Sequence, residues 1–138
     1  MQEESSSLPS SASYTSGGTK RILVVDDESD VTLTIKMGLE DAGFKVDAFN
    51  DPEAALAHFK SGTYDLLLLD IRMPKMNGFE LYEELEKMDD EAKVCFITAF
   101  EVYYQSLREL FPEIKIDCFM KKPIDTEELV KRIQSELR

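Results

Sequence analysis

The sequence predicts an α/β fold, a doubly wound, five-stranded parallel sheet with helices on both faces. Three observations carry that prediction. From Lys20 onward, short apolar runs alternate strictly with helical patterns. Four of the five runs are nearly continuous in aliphatic and β-branched residues, as parallel strands covered on both faces are. Two of the runs, Ile22-Leu23-Val24-Val25 and Leu66-Leu67-Leu68-Leu69, stop at aspartates, Asp26-Asp27 and Asp70. Ligands of open parallel sheets bind in the crevice beyond the carboxyl ends of the strands. Those acids are therefore expected to share one pocket.

Each element has its own local warrant. Residues 1–19 are rich in Ser, Gly and Thr and poor in aliphatics. They cannot bury enough surface to offset ordering entropy, so a disordered tail is expected there, followed by one domain over 20–138. Arg21–Asp26 is the first strand. Val31, Ile35 and Leu39, four apart, mark a helix that Gly43 stops. Lys45–Phe49 alternates polar and apolar residues and is expected at a sheet edge. Asp51-Pro52-Glu53 reads as N-cap and first turn of a helix carrying Ala55, Leu56 and Phe59, ended by Gly62. Leu66–Asp70 is the third strand, and Phe79, Tyr82 and Leu85 mark the next helix. Val94–Thr98 follows as a strand. Val102, Leu107 and Leu110 predict a fourth helix stopped by Pro112. Asp117–Lys121 is the last strand. Asp125-Thr126-Glu127-Glu128 opens a final helix striped by Leu129, Val130, Ile133 and Leu137.

Composition narrows the function. The 138 residues include 28 acidic and 16 basic side chains, a net charge of −12. Non-specific nucleic-acid binding needs a basic face, so direct nucleic-acid binding is not expected. There is no run of about 18 apolar residues, and membrane insertion is not expected. The first residues lack the basic and apolar regions of a secretory signal. Cys95 and Cys118 sit far apart in apolar runs and read as buried, reduced thiols of a cytosolic protein. His58, the single histidine, reads as a helix-surface residue rather than a ligand.

The strand ends supply Asp26, Asp27, Asp70, Thr98 and the Lys121-Lys122 pair. Three packed carboxylates repel one another unless a cation joins them. Carboxylates, carbonyls and water suit Mg²⁺. Two acids can hold the metal and leave the third to attack phosphorus, giving an acyl phosphate. A lysine ammonium and the metal would neutralise charge on the phosphoryl oxygens, and a threonine hydroxyl can donate to one of them. Taken singly, each residue has an ordinary structural role as cap, turn or solvated charge; their joint occurrence singles them out. A Ca²⁺ loop, a P-loop and a G-x-G-x-x-G fingerprint are all absent from the sequence.

Five segments together resemble the receiver domain of response regulators, chemotaxis-regulator-like, in two-component signalling. Ile22-Leu23-Val24-Val25-Asp26-Asp27-Glu28 is similar to the family's opening strand. Asp70-Ile71-Arg72-Met73-Pro74-Lys75-Met76-Asn77-Gly78 resembles the phosphoacceptor strand and its loop. Phe96-Ile97-Thr98-Ala99 and Phe119-Met120-Lys121-Lys122-Pro123 match the fourth and fifth strands. The resemblance implies a flavodoxin-like sheet of order 2-1-3-4-5. It implies Asp70 as the phosphorylated residue. It also implies Mg²⁺ on Asp26, Asp27, Asp70 and the backbone carbonyl of Arg72, with Thr98 and Lys122 on the phosphoryl group. Lys122 is chosen over Lys121 because the family's lysine directly precedes the proline. Strand alternation agrees, since adjacent side chains point to opposite faces. The Lys122-Pro123 bond is implied to be cis.

The resemblance also implies a cytoplasmic phosphoprotein that receives its phosphoryl group from a histidine kinase or phosphotransfer protein. Its only chemistry would be its own phosphorylation and dephosphorylation. Thr98 and Phe119 would switch inward together. The face of the fourth helix, fifth strand and fifth helix would then meet a downstream protein, an output domain outside this chain, or a second copy. Tyr103 and Tyr104 make the expected fourth helix unusually aromatic for the family. Arg72 and Phe100 flank the expected phosphoryl group and predict slow self-dephosphorylation. Two rival readings stand beside this one. One is a phosphatase or phosphotransferase with an aspartyl phosphate intermediate, which usually has a second acid two residues after the nucleophile, where this chain has Arg72. The other is a receiver-like binding module that is never phosphorylated.

Overall fold

The computed structural model describes residues 18–99, 109–114 and 118–138. The expected tail up to residue 17, most of the expected fourth helix with Tyr103 and Tyr104, and Phe100 lie outside the described residues. The elements run β1 (Arg21–Val25), α1 (Ser29–Asp41), β2 (Lys45–Phe49), α2 (Pro52–His58), β3 (Leu66–Asp70), α3 (Gly78–Met88), β4 (Lys93–Thr98), β5 (Phe119–Lys121) and a C-terminal helix, α4 (Thr126–Glu136). The five strands pair in parallel in the order β2-β1-β3-β4-β5. The expected order is thus observed, with the alternating strand β2 at one edge.

Strand parity builds two cores. Successive strand residues face opposite sides of a sheet. Leu23, Val25, Leu67, Leu69 and Phe96 pack on one side against Ala55 of α2 and Phe79, Leu81 and Leu85 of α3. Ile22, Val24, Leu66, Leu68 and Ile97 pack on the other against Ile35 and Leu39 of α1 and Leu129 and Ile133 of the C-terminal helix. All four leucines of β3 are fully buried. Each contributes about 2 kcal/mol of apolar burial, which makes β3 the anchor of both layers.

The helix starts follow local chemistry. Asp51 caps α2 by accepting from the Glu53 amide at 3.2 Å, with Pro52 in the first turn. Asp125 accepts from the amides of Glu127 and Glu128 at the start of the C-terminal helix. Asn77 and Glu80 form a reciprocal capping box on α3, at 2.8 and 2.9 Å. Glu28, at the N-cap of α1, makes no side-chain cap.

One expectation is corrected. Cys95 and Cys118 are both fully buried, as expected, but they are joined in a disulfide rather than free. Each lies one residue before the cross-strand pair Phe96–Phe119. The crossover therefore places their Cα atoms 4.5 Å apart despite their distance in sequence. The pair consequently gives no support for a reducing compartment. His58 is exposed at the end of α2, against the ring of Phe49.

The close approach of α3 to β3 depends on Gly78. Its amide donates to the Ile71 carbonyl at 2.8 Å. A Cβ there would run into the Asp70 carbonyl oxygen and lie 3.0 Å from Asp70 C and Ile71 Cα, all of it backbone. Alanine favours helices over glycine by about 1 kcal/mol, yet Gly78→Ala is expected to lower stability by about 1–3 kcal/mol through overpacking. Urea unfolding measures this; an unchanged or higher midpoint would show that α3 can withdraw from β3 at no cost.

Candidate functional site

The sheet register brings the acids together. Val25 pairs with Leu69 across β1 and β3. One step further along the same ladder, Asp26 stands beside Asp70. Both are buried, at 0% and 2% exposure, while Asp27 is exposed at the mouth. One oxygen from each of the three lies within 4.8 Å of the others. Fully buried Thr98 ends β4, and its carbonyl accepts from the Lys122 amide at 2.9 Å. Asp27, Asp70, Arg72, Thr98 and Lys122 line one cavity of about 540 Å³, shared with Glu28, Met73, Pro74 and Ala99. Every sequence-predicted site residue except Asp26 thus lines that cavity, and Asp26 touches it through Lys122.

The Lys122 ammonium is the hub. Its Nζ lies 2.7 Å from Asp26 Oδ2, 2.7 Å from Glu28 Oε1 and 3.4 Å from Asp70 Oδ2. Lys121 is exposed, and the Lys122–Pro123 bond is cis. Two positioning residues escaped the sequence reading. The Asn50 amide donates to the Asp26 carbonyl at 2.8 Å and to Thr32 Oγ1 at 2.9 Å, tying the acid loop to α1. In sequence Glu28 is an acid just before a helix, favourable charge there, and nothing marks its contact with a residue 94 positions away.

Burial dominates the electrostatics. It pushes the Asp70 carboxyl up to about 8; the Asp26 charge adds to the rise and Lys122 opposes it. Burial also raises Asp26, against the close Lys122 ammonium and the Glu28 backbone amide that donates to Asp26 Oδ1. For Lys122, burial alone would favour the neutral amine. The carboxylates of Asp26, Glu28 and Asp70 outweigh it and hold the ammonium above its ordinary value.

The donor set fits a hard divalent cation. Three carboxylate oxygens converge, and oxygen donors suit Mg²⁺. Asp26 Oδ2 is buried without an aligned hydrogen-bond donor among the described residues. It is held only by the charge of Lys122 at 2.7 Å, and a buried carboxylate oxygen in that position is one a cation could also take up. No other group of three candidate metal-ligating side chains occurs among the described residues.

Residues 22–134 match the family model for the response regulator receiver domain. The chain belongs to the response regulator receiver family. The chain is 33% identical over 119 residues to the transcriptional regulatory protein PcoR of Escherichia coli, covering 86% of this chain and 52% of PcoR. It thus spans about half the length of such relatives. Among solved structures, TrrA of Thermotoga maritima, in complex with Mg²⁺–BeF, is 35% identical with a TM-score of 0.72, covering 85% of this chain and 98% of TrrA. The non-phosphorylated HemR receiver domain of Leptospira biflexa is 28% identical with a TM-score of 0.76, covering 86% and 94% of the two chains. This is a two-component receiver domain, and its acid cluster lies where the fold places ligands. No helix among the described residues is long and apolar enough to cross a membrane.

The raised Asp70 carboxyl makes stability pH-dependent. Its unfolded value is near 3.8 and its folded value about 8. The folded state therefore holds a proton that the unfolded state has lost. The resulting stability is complete below about pH 4 and disappears as pH rises through about 8. Without divalent cations, Asp70→Asn is expected to be more stable than wild type at pH 8 by about 1–3 kcal/mol, with the gap closing toward pH 4. Urea midpoints across that range decide it; a less stable Asp70→Asn at pH 8 would show that the carboxylate form stabilises the fold.

Proposed function

We propose that this receiver domain accepts a phosphoryl group on Asp70 from the phosphohistidine of a histidine kinase or phosphotransfer protein. The observation that carries the reading is the Asp70 carboxylate, buried beside Asp26 and 3.4 Å from the Lys122 ammonium, on the wall of an open cavity. Asp70 Oδ would attack phosphorus, forming a P–O bond as the P–N bond to the donor imidazole breaks. Solvent returns a proton to the imidazole. Lys122 would hold one phosphoryl oxygen by charge, and the Thr98 hydroxyl would donate to another. Asp26, Asp27, Asp70 and the Arg72 carbonyl would hold Mg²⁺. When bound, Mg²⁺ supplies positive charge against the phosphoryl oxygens and relieves the repulsion among the acids. The complex of TrrA with Mg²⁺–BeF supports that assignment by similarity.

The same reading makes the domain a cytoplasmic switch with no external substrate. Phosphorylation adds charge next to Thr98, at the end of β4, and Thr98 is paired to Lys121 of β5. Phe119, half-buried on β5, packs against the α3-side core. A shift of Thr98 and Phe119 would carry the signal toward a downstream protein, an output domain, or a second copy. The expected fourth helix of that face lies largely outside the described residues. Exposed Arg72 stands where the rival phosphatase reading needs a second acid.

Incubation with Mg²⁺ and a small acyl phosphate donor, followed by intact mass, tests the reading. Wild type is expected to gain one phosphoryl group and Asp70→Asn none. Lys122→Met is expected to slow the reaction by about 100-fold, as loss of a charged stabilising donor does. Equal labelling of Asp70→Asn would remove Asp70 as the acceptor.

A further inference from the structure

Glu28 is badly placed for a helix cap and well placed for something else. N-caps favour Ser, Thr, Asp and Asn, whose short side chains reach back to the first amides. Glu28 occupies the N-cap of α1 and makes no such bond. Its carboxylate turns instead to the Lys122 ammonium, with Oε1 2.7 Å from Nζ. That contact is as short as the one to Asp26 and shorter than the one to Asp70. Of the three carboxylates on the ammonium, Glu28 alone is outside the convergent acid cluster. It is also the exposed one, its side chain 56% accessible against 0% for Asp26 and 3% for Asp70.

Those facts set up a competition. A divalent cation and the Lys122 ammonium both want Asp26 and Asp70, and two cations on the same oxygens repel. When a cation occupies the acids, Lys122 must give up Asp26 and still stay near Asp70, where a phosphoryl group would need it. Glu28 can keep the ammonium by its other side throughout. We propose that Glu28 is a positioning residue. It retains Lys122 at the cavity wall, so that Asp26 can release the ammonium to a divalent cation without Lys122 leaving the site. This inference rests on the reading of Asp26, Asp27 and Asp70 as the cation ligands. It assigns Glu28 no contact with the cation.

A double-mutant cycle on Mg²⁺ affinity, read by titration calorimetry on the unphosphorylated chain, tests it. Glu28→Gln is expected to weaken Mg²⁺ binding by about fivefold, the scale of one partly exposed charge contact. In a Lys122→Met background the same substitution is expected to change nothing, because the residue it acts through is gone. Lys122→Gln serves as a second background, and circular dichroism confirms that each variant folds. A fivefold loss that persists in both Lys122 backgrounds would mean that Glu28 attracts the cation directly, and would overturn the proposal. An unchanged affinity in Glu28→Gln alone would overturn it as well. If wild type binds no Mg²⁺, the assignment of the acid cluster falls first; if wild type binds and only the cycle fails, the cluster stands and Glu28 loses its role.

Discussion

Asp26 and Asp70 are held side by side because β1 and β3 pair in parallel at a register their own apolar residues impose. Ile22 through Val25 and Leu66 through Leu69 are all buried. A slip of one residue would turn each strand's side chains to the opposite layer. The same burial that fixes the register strips water from the two carboxylates at its end. The fold therefore sets up a repulsion that only a proton on Asp70 or a counter-charge can relieve. In the structure that counter-charge is Lys122, which directly follows the edge strand β5.

Much of the surrounding architecture serves that arrangement. Gly78 lets α3 close against the backbone of Asp70, and the Asn77–Glu80 box fixes where α3 begins. Asn50 ties the Asp26 carbonyl to Thr32 at the start of α1. The Lys122 amide is fastened to Thr98, so the ammonium and the hydroxyl are set by one backbone bond. The site is thus tied to the backbone of β1, β3 and β4 by these contacts. Lys122 is the exception, since its contacts are all charge contacts to groups that a cation would contest. Its sharing among Asp26, Glu28 and Asp70 is how a rigid pocket keeps one adjustable part.

The sheet was largely legible in the sequence because buried parallel strands leave a signal that little else produces. The runs at Ile22 and Leu66 are apolar at consecutive positions, and the alternating run at Lys45 marked the edge. The acids at the strand ends were legible for the same reason, as abrupt polar stops. What escaped depended on contacts between distant positions. Cys95 and Cys118 are 23 residues apart in sequence, and only the crossover makes them lateral neighbours. Glu28 and Asn50 look like ordinary helix-start and loop residues until the partners they meet are in place. Leu81, fully buried on α3, is part of the core without having stood out in the helical spacing.

The central claim is that burial and the neighbouring Asp26 charge keep the Asp70 carboxyl protonated well above its ordinary range until a cation or phosphoryl chemistry changes the balance. The carbon-13 shift of the Asp70 carboxyl, followed against pH with and without Mg²⁺, measures it directly. Without Mg²⁺ the resonance is expected to titrate near 8, the value burial and Asp26 impose, and saturating Mg²⁺ is expected to move that titration strongly downward. A titration near 4 that Mg²⁺ leaves in place would contradict the account.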